Sequence, residues 1–400
     1  MKILVINAGS SSLKYQLYDM TDESVLALGR VERIGMDAAI LTHEPTNKPE
    51  IKEVSEILDH TVAVRKVLDC LLHPESGVLS SIDEIDAVGH RIVQGGDLYS
   101  ESVLVDNDVK AGIRSLYDLA PLHNPPHMMG IQAVDLNMPG VPQVVVFDTA
   151  FHQTMPAMAY MYPIPMVLYK KHKVRRYGFH GTSHYYVSRK AGELLGRPVE
   201  DLKLVSAHIG NGASITAIME GKSYDTSMGM TPLEGLMMGT RSGDIDPAIV
   251  PFIMGKEELN TTEVNFMLNK HSGLQAISGI SSDLREVEKA MNEGNENAKL
   301  AIEMYDYRIR KFIGSYVAAM DGIDALIFTA GVGENSATLR QRVCEKLSFF
   351  GIELDLEKNE IRSGEPRDIS TPNSKVRVLV IPTNEELVIA RDTYNLVKNK

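Results

Sequence analysis

The chain begins MKILVINAGSSSLKYQLYD, residues 1–19. The apolar stretch Ile3-Leu4-Val5-Ile6 leads into a tip, Asn7-Ala8-Gly9-Ser10-Ser11-Ser12, and Leu13-Lys14-Tyr15-Gln16-Leu17-Tyr18 alternates back out. This pattern predicts a buried strand, a tight tip and a return strand with one polar face. Gly and Ser are ordinary turn formers, because Gly tolerates positive φ and Ser satisfies its own backbone. The same small residues also let backbone N–H groups approach an anion, with Lys14 adding positive charge from the return strand. The tip alone supports both accounts, and the rest of the chain has to decide between them.

Four hundred residues with 44% apolar content are enough for two ordinary cores, and the length favours two domains. Charged residues make up 24% and are mixed in sign, which describes a soluble globular protein. A formal net charge of −12 argues against nucleic acid as a partner, so any phosphate site must be local. Cys70 and Cys344 are far apart and form no CxxC pair, which fits a reducing cytoplasm and offers neither a disulfide framework nor a zinc ribbon. The apolar start is too short for a signal-peptide core, and no later run approaches the roughly 20 residues of a membrane span.

Apolar runs end repeatedly in Gly, Asn, Thr or Asp: ILVINAG, DAVGHRIVQGG, QVVVFDTAF, KLVSAHIGNGAS, DALIFTAGVGEN and VRVLVIPTNEE. Buried strands with polar tips at their C-terminal ends predict an α/β sheet with a ligand crevice along that edge. Between them, residues 299–320 place Ala301, Tyr305, Ile309, Phe312, Tyr316 and Ala319 at helical spacing, with Lys299, Glu303, Asp306 and Arg310 on the other face. LVINAGSSSLKYQLYD and VSAHIGNGASITAIME share one layout of strand, Gly-bearing tip and alternating return, which points to a duplicated unit. PAMAYMYPIPMVLYKK, residues 156–171 and rich in Pro and Met, is the candidate crossover between the two halves.

The chemistry concentrates in a few places. YDTSMGMTPLEGLMMGTRSGDIDP, residues 224–247, has no clear period and sets Arg241 between small residues, where its fork can reach a phosphoryl group or carboxylate unless Asp244 pairs with it. Arg91 closes the strand DAVGHRIV and must emerge into the crevice or be paired. His180 and His184 lie four apart, but no Cys or acid completes a zinc set, and His180 can instead donate to charge developing on a transferring group. Asp148 ends QVVVFD, where helix capping competes with a catalytic role. In IPTNEEL, Thr383 and Glu386 read as a capping box, which leaves Glu385 free to join Asn7 around a hydrated Mg²⁺.

Together, VINAGSSSLKY, GHRIV, LAPLHNPP, VFDTAFHQTMP, YGFHGTSH, HIGNGAS, DTSMGMTPLEGLMMGTRSGDIDP, FTAGVGENS and IPTNEEL resemble the acetate kinase family, within the acetate and sugar kinase, Hsp70 and actin superfamily. The resemblance spans residues 3–387 in order. It implies an α/β fold of two duplicated ribonuclease H-like, actin-like ATPase domains with a cleft between them, residues 1–149 plus 386–400 and residues 150–385. It further implies reversible transfer of the ATP γ-phosphoryl group to acetate, giving acetyl phosphate and ADP, with Mg²⁺ or Mn²⁺, in a cytoplasmic homodimer. Carried over motif by motif, the nucleotide would meet Ser10, Ser12, Lys14, His208, Ile209, Gly210, Asn211, Gly212, Asp283, Leu284, Arg285, Gly331, Val332, Gly333, Glu334 and Asn335. Asn7 and Glu385 fall at the metal positions. Arg91 falls at the substrate carboxylate, with Val93, Leu122, Phe179 and Pro232 around its alkyl end, and Asp148, His180 and Arg241 take the catalytic positions.

Two positions depart from the family pattern: Gln94 stands where His is usual and Met230 where Phe is common. A nucleotide-driven chaperone or filament former on the same fold would need a peptide-binding appendage or polymerising surface beyond the core. A sugar kinase would need a polar pocket where Val93, Leu122, Phe179 and Pro232 offer an apolar one.

Overall fold

In the computed structural model, which describes residues 1–399, the opening stretch forms β1 (Lys2–Ala8) and β2 (Ser12–Asp19). They pair antiparallel, with Asn7 opposite Lys14. Leu4, Ile6, Leu13 and Leu17 point into one core while Lys14 is exposed, as the period-two alternation requires.

The chain divides into two compact units, Met1–Ala150 together with the chain from Asn384 onward, and Phe151–Thr383. In the first, β3 (Ser24–Glu32), β4 (Ala39–Pro45) and β5 (Ile51–Ser55) continue outward from β2. On the other side lie β6 (Ile85–Ile92), β7 (Val103–Leu104) and β8 (Gln143–Phe147), giving the order β5-β4-β3-β2-β1-β6-β8-β7. β6 runs parallel to β1, and β8 parallel to β6. The helices His60–Leu71 and Asn124–Asn137 pack against each other, and residues of both join the core beneath β1 and β2. The C-terminal helix, Glu385–Lys398, packs on β1, β6 and β8.

The second unit contains β9 (Lys203–Ile209), β10 (Ala213–Met219), β11 (Lys222–Thr226), β12 (Ala325–Thr329), β13 (Arg367–Asp368) and β14 (Arg377–Val380). Their order is β11-β10-β9-β12-β14-β13, with β9, β12 and β14 parallel and β10 antiparallel to β9. The five strands β3-β2-β1-β6-β8 thus have the same arrangement as β11-β10-β9-β12-β14, and the two similar sequence stretches form the equivalent hairpins.

The helix expected over 299–320 runs Glu296–Ala319, starting earlier because the Asn295 side chain accepts from the Ala298 N–H at 2.9 Å. Ala301, Tyr305, Ile309 and Tyr316 are buried as the spacing predicts, whereas Ala319 is exposed. Asp306, expected on the solvent face, is buried, because Arg342 supplies a compensating charge at 2.6 Å and also holds Glu288 at 2.9 Å.

The Pro- and Met-rich segment 156–171 is not the crossover; it lies wholly within the second unit as two short helices, Ala157–Tyr160 and Met166–His172. Arg175 fastens it by stacking 3.7 Å over the Tyr160 ring, and the Arg176 N–H donates to the Tyr160 carbonyl at 2.7 Å. Among the described residues, no helix is long and apolar enough to cross a membrane.

Gly89 on β6 marks where the C-terminal helix comes closest to the sheet. A Cβ there would lie 2.5 Å from Thr393 Oγ1 and 2.6 Å from Ile389 Cγ2. Gly89→Ala should therefore push the helix off the sheet and destabilise the fold by about 1–3 kcal/mol. Urea unfolding measures this, and an unchanged midpoint would contradict the close packing.

Candidate active site

In the first unit the strand ends gather charged groups. Arg91 sits one residue before the end of β6, and Asp148 follows the last residue of β8. The Asp148 N–H donates to the Ile92 carbonyl at 2.9 Å, so the ladder itself places the two side chains together. Arg91 holds Asp148 with a double fork, Nε to Oδ1 at 2.9 Å and Nη2 to Oδ2 at 2.6 Å. Asp148 is 1% exposed. The capping role considered for Asp148 is overturned: its two carboxylate oxygens are taken by a guanidinium. Burial works against the Arg91 charge, but Asp148 and then Glu385 hold its pKa above the ordinary value.

Glu385, the first residue of the C-terminal helix, joins this group. Burial pushes its carboxyl up to about 7; Arg91 opposes the shift, and Asp148 and Glu386 add to it. Its Oε1 is buried with no hydrogen-bond partner. The expected Thr383–Glu386 capping box does not form. Asn384 caps instead, its Oδ1 accepting from the Leu387 N–H at 3.0 Å, because the Thr383 hydroxyl is spent on Ser183 at 2.8 Å. Asn7, Lys14 and Glu386 line a cavity of about 230 Å³ together with Arg30 and Glu44. At the tip the Gly9 N–H bonds the Ser12 carbonyl at 2.7 Å and His60 Nε2 takes the Gly9 carbonyl at 2.7 Å, while Ser10 is exposed. Val93 is buried nearby in sequence, whereas Leu122 is 64% exposed.

The second unit builds its group from histidines and serines. His180 precedes the helix Gly181–Leu195 with φ 56°. Its Nδ1 meets Ser214 Oγ at 2.9 Å, and the same hydroxyl meets His184 Nε2 at 2.8 Å. His184 Nδ1 meets Ser206 at 3.0 Å, so serines of β9 and β10 occupy both of its ring nitrogens. His208 bonds Ser183 at 2.8 Å and stacks on His180 with ring centroids 4.0 Å apart. A Cβ on Gly212 would come 3.4 Å from Arg241 Nη1 and 3.5 Å from His180 Nε2, so both functional groups lie beside this glycine.

Arg241 does not pair with Asp244. That carboxylate accepts from the Gly235 N–H at 2.7 Å, and Arg241 rests on the Pro232 carbonyl at 3.1 Å and Met238 Sδ at 3.5 Å. Burial lowers its pKa, and no carboxylate forms an ion pair with it among the described residues. A desolvated guanidinium with neutral partners favours an incoming anion.

Phe179 is buried, and its carbonyl accepts from His152 Nε2 at 2.9 Å. His208 and Ile209 end β9, and Gly210 and Asn211 lead to Gly212, whose carbonyl accepts from the Gly210 N–H at 3.1 Å. Gly331, Val332, Gly333, Glu334 and Asn335 form the short helix Ala330–Asn335 instead of an open tip. Glu334 Oε1 accepts from the Ala330 N–H at 2.7 Å and the Thr383 N–H at 3.1 Å, which pins this turn between two chain segments. Asp283 caps the helix Leu284–Asn292 and grips Arg285, whose guanidinium is 87% exposed.

Acetokinase is the family whose model matches residues 2–391. The chain is 57% identical over 398 residues to acetate kinase of Desulfitobacterium hafniense, with 100% of each covered. The chain belongs to the acetokinase family. It is a kinase whose phosphoryl acceptor is a carboxyl group. Its structure resembles the crystal structure of Porphyromonas gingivalis acetate kinase (TM-score 0.94, 49% identity, 99% of each chain covered). It also resembles that of a propionate kinase from Francisella tularensis (TM-score 0.92, 43% identity, 99% of each covered). The α/β fold of two actin-like units is therefore established.

Gln94, marked in the sequence of this acetokinase chain as a departure, proves to be built into the frame, and Asn124, His127 and Arg340 escaped notice there. Gln94 is fully buried; its backbone is bracketed by Asn124, which takes the Gln94 N–H at 3.1 Å and gives to its carbonyl at 2.9 Å. Gln94 Nε2 has no partner, and its Oε1 accepts from the Gly96 N–H at 2.9 Å. His127 is buried, and burial and then the Arg91 charge push its pKa well below the ordinary value, leaving it neutral. Arg340, 1% exposed, donates to the carbonyls of Gly333 and Glu334 at 2.9 Å and to Asn359. The signal for Asn124 and His127 was their place in LAPLHNPP and just beyond it; nothing local marks Arg340.

The raised Glu385 pKa has a sign that can be tested. The folded state binds this proton more tightly than the unfolded chain, so the contribution is full below about pH 4 and is lost as pH rises through about 7. Without divalent metal, stability should fall over that window by on the order of 2 kcal/mol more than in Glu385→Gln. Parallel pH profiles of the two would remove Glu385 from this account.

Proposed function

We propose that the chain transfers the γ-phosphoryl group of ATP to acetate, reversibly and by direct in-line displacement, giving acetyl phosphate and ADP, with propionate as a secondary acceptor. The observation that carries this is Arg241, a half-buried cation beside His180 whose partners are a carbonyl and a thioether. The names of the similar proteins, an acetate kinase and a propionate kinase, support the acceptor class.

A short carboxylic acid has a pKa near 4–5, so the attacking oxygen is ionised at neutral pH and no base is needed. Arg91 suits the acid: Asp148 fixes its Nε and Nη2, which orients the remaining Nη1 toward a carboxylate. Because Arg91 occupies both oxygens of Asp148, that residue serves by orientation and charge and not as a proton shuttle. Arg241 and His180 meet the charge spread over the equatorial oxygens of the transferring group. Ser10, Ser12, Lys14, the β9–β10 tip His208–Gly212, Asp283–Arg285 and the turn Gly331–Asn335 hold the nucleotide, and Val93, Leu122, Phe179 and Pro232 surround the alkyl end.

Mg²⁺, or Mn²⁺ in its place, fits Asn7 and Glu385, since a buried carboxylate oxygen without a donor is the kind of ligand a hard cation takes. When bound, it neutralises phosphoryl oxygens and so lowers the repulsion between two anions. A cytoplasmic homodimer completes this assignment.

The test is a hydroxamate assay for acyl phosphate across C2 to C4 acids with ATP and Mg²⁺. Acetate should give the highest kcat/KM, propionate less; ATP hydrolysis without acyl phosphate would refute the assignment. Arg241→Ala should lower kcat by about a hundredfold or more while ATP affinity changes little, by analogy with the removal of one preorganised donor. An unchanged kcat would take Arg241 out of the reaction.

A further inference from the structure

The segment that carries Met230 and Pro232 is not held by a regular element. It leaves β11 at Thr226 and turns through Gly229 toward Glu234. What holds it is a cluster outside the groups assigned above. Arg176 Nη1 donates to three successive carbonyls, Thr226 at 2.7 Å, Ser227 at 3.2 Å and Met228 at 3.3 Å. Its Nη2 reaches Glu234 Oε1 at 2.7 Å, and its Nε lies 3.8 Å from Asp225. The other oxygen of Glu234 accepts from the Tyr162 hydroxyl, which in turn accepts from the Met230 N–H at 3.0 Å. Both ends of the segment are therefore tied to one Arg–Glu–Tyr relay.

The fit is tight. A Cβ at Gly229 would collide with the Glu234 carboxylate and the Tyr162 hydroxyl, and the Gly229 carbonyl accepts from the N–H groups of Tyr177 at 3.0 Å and Gly178 at 3.2 Å. Gly178 is the residue before Phe179, so the Gly229 carbonyl, inside the segment the relay holds, joins two walls assigned to the acyl pocket. Burial and then the Glu234 charge push the Tyr162 phenol up, which keeps it protonated as the donor. At the far side of the segment, the Pro232 carbonyl is the oxygen on which Arg241 rests.

We propose that Tyr162, Arg176 and Glu234 form a positioning brace that sets the Met230–Pro232 wall of the acyl pocket and, through the Pro232 carbonyl, the aim of Arg241. None of the three is among the residues assigned above to acid or nucleotide. The inference rests on the function assigned above, in which Pro232 and Arg241 meet the reacting acid. Its consequence is that chain-length preference depends on a hydrogen bond one layer behind the pocket. Releasing the Met230 N–H lets the wall relax outward, which disfavours the small acid and admits a longer one.

Tyr162→Phe keeps the ring and deletes only the hydroxyl. It should lower kcat/KM for acetate by about tenfold and reduce the acetate-to-propionate ratio by at least about threefold, with KM for ATP unchanged. Arg176→Gln, which frees the three carbonyls, should lower kcat further for both acids. Hydrogen exchange over residues 226–234 gives a second readout that needs no turnover: Tyr162→Phe should expose this segment while β9 and β10 keep wild-type protection. A wild-type acetate-to-propionate ratio in Tyr162→Phe, or unchanged exchange at 226–234, overturns the brace. If the unsubstituted protein makes no acyl phosphate from either acid, the assigned function fails first, and the exchange result alone decides the brace.

Discussion

Two anions have to be brought within bonding distance in a protein whose own net charge is −12, and that repulsion governs how the charged groups are installed. In the proposed reaction two arginines would meet it, one on each unit, and the structure prepares them in opposite ways. Arg91 is clamped by Asp148, so its charge is largely balanced, and under the proposed function what it would contribute is direction. Arg241 is left with a carbonyl and a thioether, so its charge remains available, and under the proposed function what it would contribute is field. A carboxylate beside Arg241 would cancel that field; the structure instead gives Asp244 to the backbone of Gly235.

Holding an uncompensated guanidinium in a half-buried place requires a stiff frame. Serine hydroxyls on β9 and β10 fix His184 and His180, and His208 stacks on His180, so the imidazoles are oriented, and burial keeps His184 uncharged. His127 plays the corresponding part beside Arg91, where burial keeps it uncharged. The acidic partner in the first unit, Glu385, is of the opposite kind: its carboxyl is destabilised as an anion until a cation meets it.

Strands and their tips were legible because apolar runs with period two and polar ends leave little choice of fold, and the motif spacing named the family. The long helix was legible from its stripe, but not the burial of Asp306, which depends on Arg342 arriving from a segment far along the chain. The Arg91–Asp148 pair could be framed as a requirement, since a charge at a strand end must be paired or emerge, while the partner was fixed only by the β6–β8 register. The capping box at Thr383 failed because Ser183, distant in sequence, competes for the hydroxyl. Local rules assign such residues to their neighbours; tertiary partners reassign them. Arg340 and the Arg176–Glu234–Tyr162 relay escaped for the same reason, as their partners are backbone carbonyls that carry no sequence signature.

The two units share a strand order yet put their first hairpin to different uses, and the difference lies in one residue at each tip. In the first unit the position opposite Asn7 is Lys14, a flexible cation next to an amide oxygen, on a tip whose Gly9 carbonyl is drawn away by His60. In the second, the tip closes on Gly212, and Arg241 and His180 reach in from other segments to lie beside it. A hairpin that brings its own charge suits a ligand held by electrostatics and metal. A hairpin that gives up its side chain suits one held by groups whose direction matters, because those groups are set by their own frames and not by the tip. Duplicating one topology therefore need not duplicate its chemistry: a methyl at position 212 would leave the strand pairing intact and sit in van der Waals contact with both Arg241 and His180, at 3.4 and 3.5 Å.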